Sequence, residues 1–206
     1  MIMLAVEATA AIASAALLRD GVLIDEREAD AGKKHAETLL PLIDDLLEEN
    51  DVVMEQIDLF AVDIGPGSFT GVRIGVSLVN ALAFATGKKV IPVDSLESLT
   101  LSAGETGRPI AAMIDARNGN AYAALYQAGK TIIEPCAVET EPFIATLSQD
   151  VVLVGDVQAE KKTYPRAKHV GFAALRHPER ATEEADPVYL RPSQAERTKQ
   201  KSNREA

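Results

Sequence analysis

The sequence has few of the residues that mark secreted, membrane or metal-binding proteins. It contains no tryptophan and a single cysteine, Cys136, so it cannot form an internal disulfide, and a reducing, cytoplasmic location is expected. No apolar run approaches the ~20 residues that span a bilayer, and no basic residue precedes Glu7. From these absences we expect no signal peptide and no membrane contact.

Positive charge is scarce in the first half of the chain. Residues 1–103 hold 7 Lys/Arg and 17 Asp/Glu, whereas residues 104–206 hold 14 of each. An acidic body of this kind argues against nonspecific nucleic-acid binding by the protein alone. The polar, mainly basic segment 193–206 predicts a disordered tail, although contact of this tail with RNA after docking on a partner stays open.

Side chains that could run metal or covalent chemistry are also sparse. The 3 histidines are scattered, with no HxxxH, HxxE or Cys/His grouping. Ser68 lies on a glycine turn but lacks the GxSxG elbow, and Cys136 has no evident activating neighbour. The sequence therefore predicts no catalytic residue, no metal site and no cofactor.

What the sequence does contain is an internal repeat. Glu7 and Asp115 each end an apolar strand, and each is followed by a hairpin and a further strand. At the same offset of 108 residues Gly21 aligns with Gly129, without a gap. We interpret this as a duplicated unit of three strands followed by helices, which makes the fold α/β. The predicted lobes are 1–103 and a smaller 104–192.

The glycine-rich stretch 63–75 joins a short strand, 59–62, to an Ala/Leu/Val-rich helix predicted over 70–85. Its spacing matches neither GxxxxGK[ST] nor GxGxxG, so an anion site and a simple tight bend both stay open. The residues assigned to this structural turn are Gly65, Pro66, Gly67, Ser68, Thr70 and Arg73.

Two predicted helices flank this turn. The first covers about 35–50 and carries one leucine-rich stripe, while Pro41 is expected to delay its start or to bend it. In the second, Gly71 and Gly75 lie one turn apart and form a small-residue face. Because a glycine inside a helix costs ~1 kcal/mol relative to alanine, two of them indicate that another backbone packs closely there.

Two equivalent lobes whose first strands end in an acid resemble the actin/hexokinase/Hsp70 superfamily, in which such acids handle magnesium and phosphates. Here Glu7 and Asp115 occupy those places. The glycines that normally follow them are replaced by Ala8-Thr9 and Ala116-Arg117, so we interpret both as vestigial cleft acids. An autonomous ATPase or small-molecule kinase using Glu7 and Asp115 is kept as the alternative function.

The motif GPGSFTGVRIG and the preceding KHAETLLPLI are similar to the bacterial TsaB (YeaZ) family, as are VDSLESL, DAR and PVYLRP. This resemblance implies an actin-like (ASKHA, ribonuclease H-like) fold with a reduced second lobe. It also implies a non-catalytic scaffold subunit of the TsaD-containing complex that makes N6-threonylcarbamoyladenosine at position 37 of ANN-decoding tRNAs. A TsaE-like ATPase would join the complex, and tRNA would be met indirectly.

The resemblance also bears on individual positions. Metal-binding paralogues carry an HxxxH pair where this chain has Ser95 and Leu99, so a metal-dependent peptidase by ancestry is disfavoured. The family's first strand usually ends in Asp-Thr-Ser rather than Glu7-Ala8-Thr9, which weakens phosphate binding further. The partner is expected on the two helices, with a homodimer through the same surface when the partner is absent. The predicted interface residues are His35, Leu39, Leu42, Ile43, Leu46, Gly71, Val72, Gly75, Val76 and Val79.

Overall fold

The computed structural model describes residues 1–32, 34–104, 106–159 and 162–191, and the predicted tail 193–206 lies outside them. Its strands form two sheets. The first sheet contains β1 (Ile2–Glu7), β2 (Ile12–Arg19), β3 (Val22–Asp30), β4 (Leu59–Asp63) and β5 (Lys89–Val93). The second contains β6 (Ile110–Arg117), β7 (Asn120–Gln127), β8 (Lys130–Glu139) and β9 (Val152–Gly155). The α-helices are α1 (His35–Glu49), α2 (Phe69–Thr86), α3 (Ser95–Thr100), α4 (Thr140–Thr146) and α5 (Ala167–Arg176).

The strand orders confirm the predicted duplication. The first sheet runs β3-β2-β1-β4-β5 and the second runs β8-β7-β6-β9, so the described second sheet repeats the first without its fifth strand. In both, an antiparallel three-strand meander is extended by a parallel strand, which pairs with β1 in one case and with β6 in the other. The fold is therefore a mixed α/β architecture with a reduced second copy.

The first sheet is covered on both faces. Alternate residues of a strand point to opposite sides, so Leu4 and Val6 of β1 pack under α1 and α2, whereas Met3 and Ala5 pack under α5. All four side chains are fully buried. The α2 helix is apolar and long enough to match a membrane span by composition alone, but its buried residues belong to this core.

Each predicted lobe contributes one helix that packs against the sheet of the other lobe. Leu96 and Leu99 of α3, which comes from the first half of the chain, are buried against the second sheet. Conversely, Ala167 and Val170 of α5, from the second half, are buried against the first sheet. The sequence boundary at 103/104 is thus crossed by packing in both directions, because α5 and the chain after it return to the first sheet.

The structure differs from the sequence prediction at two helices, α1 and α5. The α1 helix begins at His35 and includes Pro41, so the expected late start is wrong, while a bend at Pro41 stays a prediction. The α5 helix was missed, because Gly171 lies inside it and no side chain caps it. Its buried residues follow a helical stripe through Ala167, Val170 and Ala174, and this periodicity could have predicted it.

The glycines of α2 serve a close contact inside the chain. A Cβ on Gly71 would lie 1.9 Å from the carbonyl oxygen of Ala8, and one on Gly75 would lie 3.1 Å from the Ala8 side chain. The small-residue face therefore receives the loop after β1. In the isolated chain this loop occupies the face that was predicted to meet a partner, and a partner contact of Gly71 and Gly75 stays a prediction.

Replacing Gly71 with alanine should destabilise the protein by about 3 kcal/mol, because α2 would have to move away from Ala8. Gly75→Ala should be close to neutral, since the ~1 kcal/mol gained in helix propensity offsets its milder contact. Urea unfolding of both variants beside the wild type measures this difference. Equal free energies of unfolding of the two variants would contradict this prediction, because they would show that α2 can shift away from Ala8 without loss of stability.

Candidate functional site

The glycine turn packs against the loop that follows β1. Gly65 has a φ of +98°, which favours glycine, and precedes a cis peptide bond to Pro66. The N–H of Ser68 donates to the carbonyl of Thr9 at 2.8 Å, and a Cβ on Gly67 would lie 2.8 Å from the same residue. The space above β1, where an anion could approach, is therefore filled by the protein's own backbone.

Glu7 lies beneath this loop and is completely buried. Its Oε1 accepts hydrogen bonds from the Thr9 backbone N–H, from the Thr9 hydroxyl at 2.7 Å and from the Ala10 N–H at 3.1 Å. Burial raises the pKa of Glu7 to about 7 despite these donors. The two loop N–H groups that could cradle a phosphate are thus used by Glu7.

Asp63 ends β4 beside Glu7, because Val6 pairs with Val62 in parallel register one residue earlier. Its Oδ1 accepts hydrogen bonds from the Gly65 N–H at 2.9 Å and from the Ser95 hydroxyl. Its second oxygen, like that of Glu7, is buried without a partner among the described residues. Burial, and then the neighbouring Glu7, raise the pKa of Asp63 well above its usual value.

Between the two sheets lies a cleft of about 730 Å³. Its floor is the β1–β2 loop and the glycine turn, and its far wall is the end of β6. The polar and aromatic residues that line it are Thr9, His35, Ser68, Phe69, Thr70, Asp115, Arg117, Tyr122, Asp156, Thr163, Tyr164, Tyr189 and Arg191.

The two vestigial acids predicted for this cleft are not equivalent. Asp115 is exposed and lines the cleft, whereas Glu7 lies behind Thr9 and does not. The Asp115 carboxylate accepts a hydrogen bond from the Arg117 N–H, and Asp156 accepts one from the Asp115 N–H, both at 2.8 Å. The structure therefore does not present Glu7 and Asp115 as a facing pair.

A C-terminal strap, residues 185–191, was missed as part of the site. Its Val188 N–H donates to the Ile64 carbonyl at 2.8 Å, which ties the strap to the glycine turn. The ring of Tyr189 lies 4.7 Å from that of Phe69, and the guanidinium of Arg73 lies 5.4 Å from the same Phe69 ring. Only the tertiary fold brings Phe69 and Tyr189 together, so local sequence patterns carried no signal for this contact.

The residues predicted to form the partner interface lie mostly inside the chain's own core. The buried ones are His35, Leu39, Ile43, Leu46, Gly71, Val72, Gly75, Val76 and Val79, and Leu42 is half-buried. The His35 Nε2–H donates to the Ala10 carbonyl at 2.8 Å. These side chains hold α1 and α2 on the sheet in the isolated chain, and their contact with a partner stays a prediction.

What the two helices do expose is a shallow apolar groove of about 380 Å³. Leu40 is 41% exposed and Ile74 and Leu78 are half-buried, so apolar atoms form most of its surface. The residues that line it are Ala36, Leu39, Leu40, Arg73, Ile74, Ser77 and Leu78.

The positions that the resemblance aligned with a metal pair have other roles. The Ser95 hydroxyl donates to Asp63, and Leu99 is buried under the second sheet. Among the residues that the structure describes, no three His, Cys, Asp or Glu side chains cluster in a way that could hold a metal ion.

Glu7→Gln should raise the free energy of unfolding at pH 8 by about 1–3 kcal/mol. The raised pKa of Glu7 means that the native state binds more protons than the unfolded state between about pH 4.5 and 7, so wild-type stability should fall as the pH rises through that window. The amide keeps the Oε1 acceptor and carries no charge. Urea unfolding at pH 5 and pH 8 tests this, and a variant that is weaker at both values would contradict it.

Comparison with known proteins identifies the family to which the chain belongs. The sequence model of the family described as "TsaD: tRNA N6-adenosine threonylcarbamoyltransferase" matches residues 28–164. The TsaB protein of Bacillus subtilis is 32% identical over 145 residues, 70% of this chain and 63% of that protein. The Haemophilus influenzae TsaB protein is 35% identical over 122 residues, 58% of this chain and 51% of that protein. Each alignment spans less than two thirds of the relative.

A solved structure from Pseudomonas aeruginosa, described as similar to peptidase YeaZ, superposes with a TM-score of 0.81 at 29% identity. The match covers 92% of this chain and 99% of the other. The chain belongs to the TsaD family, in its TsaB (YeaZ) branch, and has the duplicated actin-like fold of that family.

Proposed function

We propose that this protein is a non-catalytic scaffold subunit for making N6-threonylcarbamoyladenosine at position 37 of ANN-decoding tRNAs. In this proposal it docks on a TsaD-like paralogue that carries the chemistry, and a TsaE-like ATPase joins the larger complex. The observation that carries the proposal is the apolar face on α1 and α2, beside a cleft whose first loop donates the Thr9 and Ala10 N–H groups to Glu7. The relatives' names, which refer to this biosynthesis, supply the pathway.

The geometry of the first loop disfavours the alternative of an autonomous ATPase or kinase. Phosphate sites in such folds depend on loop N–H groups that point at the ligand. Here the Thr9 and Ala10 N–H groups donate to Glu7, and the glycine turn covers the loop from above. A nucleotide in the cleft would have to compete with Glu7 for these two N–H groups.

The α1/α2 groove supports the docking role. It is about 380 Å³ in volume, and Leu40 and Ile74 bring apolar atoms to its surface. Contiguous exposed apolar surface on two adjacent helices is typical of a protein-interaction site. The docking surface that we propose therefore lies on the outer sides of the two helices whose inner sides form the core.

Leu40→Asp should weaken binding to the organism's own TsaD-like paralogue at least tenfold, since it places a charge in the apolar groove. The isolated protein should stay folded, because Leu40 is 41% exposed. Ile132→Asp is the matched control, since Ile132 is 56% exposed on the second sheet. Co-purification and titration calorimetry measure both, and equal binding by the two variants would rule out the groove as the docking surface.

Reconstituted tRNA modification by the TsaD-like and TsaE-like proteins, with a TsaC-type enzyme present to supply threonylcarbamoyl-AMP, should require this chain. Omitting it should reduce product to background, whereas Asp115→Ala should leave the rate within about twofold, because the cleft acid has no catalytic role in a scaffold. Mass spectrometry of tRNA nucleosides gives the yield. Loss of activity on Asp115→Ala with Mg-ATP binding by the isolated wild-type protein would favour the ATPase alternative.

A further inference from the structure

The apolar surface on α2 continues past the groove toward the end of the helix. Phe84 is 89% exposed, and its neighbours Ala81 and Ala85 are exposed as well. Because Phe84 is almost fully solvated, its side chain contributes little to the stability of the isolated protein. Burying the same side chain in a complex would be favourable. The groove and Phe84 therefore define one extended surface.

Charge is distributed unequally over this surface. The single charged residue of α2 is Arg73, whose guanidinium lies over the Phe69 ring. The α1 helix has no lysine or arginine, and its five acidic residues are exposed. These acids are Glu37, Asp44, Asp45, Glu48 and Glu49.

Two of these acids continue the groove-lining row of α1. Residues four apart on a helix lie above one another on one face, so Asp44 and Glu48 extend the row that begins with Ala36 and Leu40. Glu49 belongs to a neighbouring row and pairs with Arg27 of β3. The acidic edge formed by Asp44 and Glu48 is thus next to the apolar surface.

Within the isolated chain this acidic edge is electrostatically unfavourable. The C-terminal turn of a helix carries partial negative charge, which favours basic residues there, yet α1 has none in its last turn. Like charges at i and i+4, as in Asp44 and Glu48, repel each other. Among the described residues neither side chain makes an ion pair. Residues that disfavour folding at a given position are expected where function, rather than stability, requires them.

We propose that the α1/α2 surface receives a protein segment that carries lysine or arginine side chains beside an apolar ridge, with the basic side chains facing Asp44 and Glu48. This deepens the docking role and rests on it, since it specifies the chemistry of the partner. Nucleic acid is repelled by the same charges. Like charges would repel wherever two α1 helices meet, so the edge favours an unlike partner over the homodimer expected when that partner is absent.

Asp44→Asn/Glu48→Gln tests the edge by stopped-flow association with the organism's own TsaD-like paralogue. At about 20 mM salt, where charges are weakly screened, the association rate should fall about tenfold, and its dependence on salt should flatten. The variant should also melt about 1–3 °C higher, because helix-end repulsion is relieved. Glu134→Gln/Glu139→Gln removes the same charge from exposed positions on β8 and should leave the rate unchanged.

The outcomes separate this inference from the docking role itself. If wild type binds the paralogue and both double variants associate equally fast with the same salt dependence, the acidic edge is not used and the inference is overturned. If wild type does not bind the paralogue at all, the proposed function fails. Slower association of a variant that is more stable than wild type supports the inference, because reduced folding cannot explain it.

Discussion

The close backbone contact between the start of α2 and the loop after β1 determines much of this structure. Gly71 lets α2 approach the Ala8 carbonyl, and the Ser68 N–H bonds to Thr9. That contact packs the glycine turn against the loop after β1. It also fixes which side of α2 is buried, and hence which side remains exposed.

Beneath this contact, two buried carboxyl groups secure the loop and the turn. Glu7 holds the loop through the N–H groups of Thr9 and Ala10, and Asp63 holds the turn through Gly65 and Ser95. Each acid accepts these hydrogen bonds through one oxygen, and burial raises the pKa of both. Glu7, which was interpreted as a vestigial cleft acid, thus supports the loop after β1.

The surface chemistry follows from the same arrangement. Most apolar residues of α1 and both glycines of α2 pack in the core, so the docking surface that we propose consists of the outward residues Leu40, Arg73 and Phe84, with the acidic edge beside them. The C-terminal strap then braces the turn through Tyr189 and Phe69. The proposed scaffold role requires a surface of defined shape, and these contacts hold the glycine turn and α2 in place.

The sequence by itself determined the duplication, the positions of most strands and of both flanking helices, and the family, because apolar runs, the helical repeat of apolar residues, glycine turns and motif spacing are local signals. Tertiary structure decided which of these residues are buried in the core and which are exposed to solvent. The 3.6-residue period marks an apolar stripe on α1 but not whether Leu39 meets the sheet or a partner. Likewise, the burial of Glu7, the return of α5 to the first sheet and the Phe69–Tyr189 contact depend on segments far apart in the chain.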